Sequence, residues 1–454
     1  MTKSVSATTV SASAVNRATY LKHLLTQASA AADESPLRKA PLKASLKALR
    51  DEAIAAVSDR TFPSGRDEEW RFTDLSDMLT QPFQRPSQDG AHQRATSVQP
   101  TLVDSAYQLN SVNGFFEGAD ATSINWLDGA IVAPLSELMD MPEYAQKLEP
   151  IIAQKLAKIE GADEIFTAIN TAGFSDVMVV WVAADQVVKE PICINRESQG
   201  SAIAHLRTLV VAERYANLTL GESFVGTPEA TRCNTSVTEL WLAEGAQVNH
   251  IRIQDESAQT FHIAKTAVDQ AANSQYKCTA IDLGAKLSRH HLEVFQSGPQ
   301  TDTHMYGLSA LGDRQLADAH SLLTMTYPHG TATQIQKNIV DDRAHAVFNG
   351  RVFVSQAAQH TDASQLNRNL MLSSKARIDT KPELDIVADD VKCAHGATVS
   401  QLQADEVFYL QSRGINAEQA QRLLLYGFAM EIVEKISLAP LRDALSERLT
   451  AWAK

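Results

Sequence analysis

The order of hydrophobic and polar positions divides the chain into three textures. Asn16–Ala30 and Leu37–Val57 are rich in Ala, Leu, Lys and Gln, with apolar residues three and four apart, which predicts two amphipathic helices. Leu42, Leu46, Leu49 and Ala53 share one face of the second. Arg66–Leu79 (RDEEWRFTDLSDML) mixes charge with aromatics. The stretch that follows, to about Asn110, holds Pro82, Pro86 and Pro100 among many Gln and Ser, and reads as loop or linker. Helical spacing returns in Pro134–Leu156 and Asp163–Ala172.

From about Ser175 the texture changes. Short segments rich in Val, Ile, Leu and Thr recur, among them Val177–Val182, Ile192–Asn195, Leu206–Val211, Val248–Ile253, His291–Phe295, Val347–Val354 and Val391–Cys393. Gly, Asp and Asn punctuate them, and helical periodicity is absent for more than 200 residues, which argues for one all-β unit. The turn-like blocks GAKL, GDRQ, DDRA and SSKA begin at 284, 312, 341 and 373, spacings near 30, which points to stacked rungs of a β-solenoid more than to a sandwich. The end of the chain is helical again. Asp405–Arg413 stops at Gly414, a left-handed C-terminal signal, and Asn416 with Gln419 forms a capping-box variant. Leu423, Leu424, Gly427, Phe428, Glu431, Ile432 and Ile436 then run at helical spacing, and Pro440 starts a last helix with Leu441, Leu445, Leu449 and Trp452. The expected organisation is helical over 1–174, β over 175–402 and helical over 403–454.

Composition narrows the classes. The chain has 454 residues, 44% apolar and 21% charged, so global disorder is excluded. The longest clean apolar run, Val177–Ala184, falls far short of the roughly 20 residues of a membrane-spanning helix, and no membrane association is expected. Forty-one basic against 54 acidic residues give a net charge of −13, which repels phosphate backbones and argues against nucleic acid as a partner. Cys193, Cys233, Cys278 and Cys393 are widely separated, neither a disulfide framework nor a zinc ribbon, and suit a reducing cytoplasm. The first fourteen residues carry one basic residue and no long apolar core, so they read as a floppy terminus more than a transit peptide.

Chemistry is thin in motifs. The chain lacks a P-loop signature, so it should not hydrolyse ATP itself, and it lacks G-x-G-x-x-G, H-E-x-x-H and G-x-S-x-G. Eleven of thirteen histidines lie between His205 and His395. His290, His291 and His320 could be ligands or bases, although a hydrogen-bonded place on a strand is the ordinary role of each. Asp385, Asp389 and Asp390 read as turn formers and solvated charges. The best constellation is Val391–Thr398 (VKCAHGAT). On a strand, Cys393 and His395 would share a face about 7 Å apart at Cα. A thiolate and an imidazole both bind iron or zinc. Two ligands do not complete a tetrahedral site, so the others must come from elsewhere in the fold or from another chain. The alternative is a buried cysteine beside a turn histidine.

Several ordered motifs resemble the SufD family, scaffold subunits of the Suf iron–sulfur cluster assembly complex that are related to SufB. They are Glu68–Leu75 (EEWRFTDL), Phe348–Val354 (FNGRVFV), Thr361–Leu370 (TDASQLNRNL), Asp379–Leu384 (DTKPEL), Lys392–Thr398 (KCAHGAT), Gln411–Ile415 (QSRGI) and Leu425–Phe428 (LYGF). The match is dense from about 300 to 436 and rests mainly on EEWRFTDL before residue 170.

The resemblance implies a right-handed parallel β-helix between N- and C-terminal helical domains, and a non-catalytic scaffold subunit rather than an enzyme. It implies a heterodimer with SufB, a transient iron–sulfur cluster shared at that interface near His395 and Cys393, and a SufC ATPase that binds the ATP. Reduced flavin in the complex and a homodimer in isolation are compatible with it. The C-terminal domain is implied to dock the ATPase through Tyr409, Leu410, Gly414, Leu424, Gly427 and Phe428. Where SufB chains carry a scaffold cysteine this sequence has Asn367, and Gly396 replaces the acidic residue after the histidine, so the chain resembles SufD more than SufB and is not expected to hold a cluster alone. The competing readings are a stand-alone β-solenoid enzyme acting on a small or carbohydrate substrate, and a purely structural subunit.

Overall fold

A computed structural model describes residues 16–39, 42–86, 107–116, 125–127, 129–228 and 230–452. The first fourteen residues and most of the proline-containing stretch before Asn110 lie outside them. The fold is mainly β, a β-solenoid of about eight turns with helices on both flanks. Successive long strands alternate between two ten-stranded sheets, so each turn contributes one strand to each. Within a sheet the long strands pair in parallel. One column of register partners reads Leu220, His250, Cys278, Met305, Gln334, Gln365 and His395, 27 to 31 residues per turn. The turn blocks of the sequence are the corners of this coil: Ala285, Asp313 and Asp342 have positive φ of 69°, 51° and 49°. Aspartate tolerates that left-handed geometry better than most side chains.

Inward side chains fill the space between the sheets. Val180, Val210, Leu240, Leu218 and Val248 make part of it apolar. The remainder is charged and buried: Glu222 receives hydrogen bonds from the Thr208 and Thr238 hydroxyls, and Arg252 pairs with Asp282 at 3.0 Å. Both outer faces are covered as well. The helices Arg17–Glu34, Lys43–Val57 and Ile165–Gly173 and the EEWRFTDL segment lie against one sheet, burying Trp70 and Phe166 near Phe261, Ile263 and Leu287. Leu425, Ala429, Ile432, Leu441 and Leu445 of the C-terminal helices Ala417–Val433 and Ala439–Trp452 bury Ile251, Ile281, Leu308 and Ile339 of the other sheet.

The structure departs from the sequence reading before residue 175. Tyr107–Val112, in the stretch read as loop, is a strand parallel to Ile192–Ser198, and Ala130–Pro134 is a strand antiparallel to Met178–Val182. The coil thus borrows its first strands from the region read as helical. The helix expected over Pro134–Leu156 is two, Leu135–Met139 and Pro142–Lys155, because Pro142 starts a new helix instead of continuing the old one. At the far end Gly414 has φ of 88°, and the Asn416 side chain accepts from the Gln419 amide at 2.8 Å, as the capping pattern requires.

Candidate functional site

Lys392–Ser400 is the last strand of its sheet, and Arg377–Ile386 the last of the other. Cys393 is in register with Ala363, which faces the interior, and packs against the apolar interior cluster. His395, two residues on, takes the same face. Because this rung is terminal, its inward face is uncovered: Cys393 is half-buried and His395 exposed, whereas Cys193, Cys233 and Cys278 are buried. Val399, on the same face, is 51% exposed. The strand therefore presents a sulfur and an imidazole at the open mouth of the coil.

The thiol is not ready by itself. Burial pushes the Cys393 thiol up and the Asp362 carboxylate adds to this, against a hydrogen bond from the Ala363 backbone. The thiolate is the ligand form, so a metal cation or an added positive neighbour is needed to draw the proton off. Asn367, one rung below, is fully buried and already committed. Its Nδ2 donates to the Gln336 carbonyl at 3.1 Å, and its Oδ1 accepts from Thr380 Oγ1 at 2.7 Å and from Asn369 Nδ2 at 2.5 Å.

The C-terminal candidates form a separate surface. Phe408 and Tyr409, on the helix Ala404–Ser412, are 71% and 57% exposed, and Leu410 is half-buried. Gly414 and Gly427 are exposed. Leu424, Gly427 and Phe428 line a cavity of about 270 Å³ with Lys337, Arg368 and Glu431. Phe428 lies under the Lys337 ammonium, 4.2 Å from the ring centroid, so it faces the solenoid and not open solvent. Thr398 and Ser400, on the strand that carries His395, border the same cavity.

The candidate histidines His290, His291 and His320 are held in contacts within the chain. His290 bonds Thr266 Oγ1 at 3.0 Å in the interior. His320, on the outer face under the N-terminal region, lies 2.9 Å from Asp318 and 3.1 Å from Glu69. Glu68 pairs with Lys381 at 2.6 Å, and the Arg289 guanidinium stands 4.0 Å from the Trp70 ring centroid, so EEWRFTDL clamps the N-terminal region onto the coil. Glu164, His291 and Glu293 converge within 4.8 Å in metal-ligand fashion. The Lys265 ammonium already lies 2.9 Å from Glu293 and 3.4 Å from Glu164, supplying the cation. Asp385, Asp389 and Asp390 bind Arg351, Gln356 and His360 near the rim. Sequence reasoning passed over the Gln334–Gln365 pair beneath His395, which extending the spacing of about 30 backwards from His395 would have found.

The parallel β-helix, with helical regions on both flanks, thus ends on a strand that carries a half-buried cysteine and an exposed histidine on one face. The chain belongs to the SufBD family: the family profile described as SUF system FeS cluster assembly, SufBD core domain, matches residues 193–428, and the SufBD protein N-terminal region matches 32–194. It is 41% identical to an iron–sulfur cluster assembly SufBD family protein of Synechocystis, over 88% of this chain and 89% of that one. It is 33% identical to the chloroplastic protein ABCI7 of Arabidopsis thaliana (88% and 84%) and 26% identical to the iron–sulfur cluster assembly protein SufD of Escherichia coli (85% and 88%). The protein is thus a component of the SUF system of iron–sulfur cluster assembly. Among the described residues no helix is long and apolar enough to cross a membrane.

Proposed function

We propose that this chain is a non-catalytic scaffold subunit that builds iron–sulfur clusters, as cargo, at an interface between its open rung and a SufB-type relative. One observation carries the reading: among the described residues, the only strand that bears both a cysteine and a histidine on its inward face is the last of its sheet, where that histidine is exposed. Both last strands also have a free edge among the described residues, and an edge of that length is a template for pairing with another chain. His395 and Cys393 offer two ligands, and the partner supplies the rest. Exposed Phe408 and Tyr409 suit a docking site for a SufC-type ATPase, which binds the ATP. Leu410, Gly414, Leu424, Gly427 and Phe428 shape and support that end. The polar cavity between those helices and Thr398 supports a docking site beside the strand that carries His395.

The test is growth of a Suf-dependent strain carrying single variants, with copurification of the partners. His395→Ala is expected to abolish cluster delivery while leaving the complex intact, since one exposed side chain removes little buried area. Cys393→Ser is expected to retain partial activity, because its sulfur holds its proton and assists instead of leading. Full activity of His395→Ala would leave only a structural role for the motif. Loss of the complex would assign the histidine to packing.

A further inference from the structure

Among the described residues, a buried acceptor without a donor lies one rung beneath a histidine without a partner. Gln365 is 2% exposed. Its Nε2 donates to Gln334 Oε1 at 2.8 Å, and Gln334 Nε2 donates in turn to Ser321 Oγ at 2.7 Å. The donors therefore run inward along this ladder, and Gln365 Oε1 is left with no hydrogen bond among the described residues. Such an acceptor is costly in a closed interior. Room for the ladder comes from Gly350, where a Cβ would come within 2.4 Å of Gln365 Nε2. His395 is the register partner of Gln365 on the next strand, on the same inward face, about 4.8 Å away backbone to backbone. Its ring forms no hydrogen bond or ion pair among the described residues.

We propose that Gln365 is a positioning residue for His395. Its Oε1 accepts the N–H of one ring nitrogen after a side-chain rotation. That bond fixes the tautomer and leaves the lone pair of the other nitrogen directed out of the open mouth, toward incoming iron. A ligating histidine commonly needs such a partner on its second nitrogen. The inference rests on the site reading above but can fail without it.

The measurement is the two-bond proton–nitrogen spectrum of the ¹⁵N-histidine-labelled full chain above pH 8, with the His395 signals identified by their loss in His395→Ala. The unaltered protein is expected to show one His395 tautomer. Gln365→Met, which keeps length and removes the acceptor, should give the tautomer mixture of a free imidazole and lower cluster delivery about tenfold. Gln365→Glu keeps an acceptor and should preserve the single tautomer. Gln365→Asn, one methylene shorter, serves if the methionine variant does not fold, and should also give the mixture. Unshifted signals from the buried histidines report an intact coil. A single tautomer in the methionine or asparagine variant would overturn the positioning role while leaving His395 as the site. Full activity of His395→Ala would instead overturn the site reading itself, whatever the tautomer.

Discussion

The two ends of the coil follow one repeat and finish differently. At the start, Met178–Val182 is covered on its free edge by the antiparallel strand Ala130–Pro134 and then by the three-residue strand Asn125–Leu127. In the other sheet Tyr107–Val112 is closed by the two-residue strand Phe115–Phe116. Short antiparallel strands are an effective way to end a sheet. At the finish no such cover exists among the described residues, and Ile386, Val387 and Val399 are 39%, 48% and 51% exposed. Pro382 and the charges of Arg377, Lys381 and Glu383 interrupt the edge strand there. The start is an edge covered within the chain, whereas the finish leaves its edge strands uncovered among the described residues, with Cys393 half-buried and His395 exposed. The contrast teaches that a rung's chemistry depends on its place in the stack as much as on its sequence.

The largest expected effect tests whether the open end is half a site. Anaerobic reconstitution of the purified chain alone should give little bound sulfide and little visible absorbance, because Asn367 is committed to three hydrogen bonds and the thiol of Cys393 holds its proton. The same procedure with a SufB-type relative present should give a cluster. A long-lived stoichiometric cluster on the chain by itself would make this end a complete site and break the comparison.

A second, smaller effect should follow the stack. Leu240 is fully buried between the sheets, so Leu240→Ala is expected to cost about 2–5 kcal/mol. Cys393 faces the same interior from the last rung and is half-buried, so Cys393→Ala should cost no more than about 1 kcal/mol. Urea unfolding of the two variants measures both. Equal costs would mean that the last rung is packed like the others, and that its openness is not a property of the folded chain.

How far the chain could be read ahead follows from the same packing. The solenoid was legible because its corners recur: the blocks beginning at 284, 312 and 341 hold Ala285, Asp313 and Asp342, whose positive φ turns the chain. Pairings such as Leu109 with Ile194 were not, because strand and partner are far apart in sequence and the alternation in Tyr107–Val112 runs for only its first four residues. Strand ends were blurred for another reason. With flanking regions on both outer faces, strands such as Ile203–Ala212 are buried at every position, which erases the alternation that would mark a half-exposed strand. The Cys393 and His395 pair was visible from spacing alone. Its exposure was not, since nothing in KCAHGAT says that no further rung follows, and neither was Gln365, whose relation to His395 exists only through register.

The smallest effect contrasts the buried charges of the middle rungs with the open rung. His250 occupies the same column as His395, but in the middle of the stack, 3.2 Å from Glu222 and 3.0 Å from the Tyr276 hydroxyl. Burial disfavours its charge, yet hydrogen bonds to the Cys278 sulfur and to Glu222 outweigh that and lift it to about 9. A histidine raised above its ordinary value of about 6.5 binds a proton more tightly folded than unfolded. Its contribution is therefore fully present below about pH 6.5 and is lost as the pH rises through about 9. Urea midpoints of the unaltered chain should fall across that window. His250→Gln, which keeps a hydrogen-bonding side chain but cannot titrate, should lower stability at pH 6 and flatten the fall between pH 6.5 and 9. If the fall keeps its full slope in that variant, the pH dependence arises elsewhere, and the middle of the coil does not hold a protonated histidine where the last rung holds an open one.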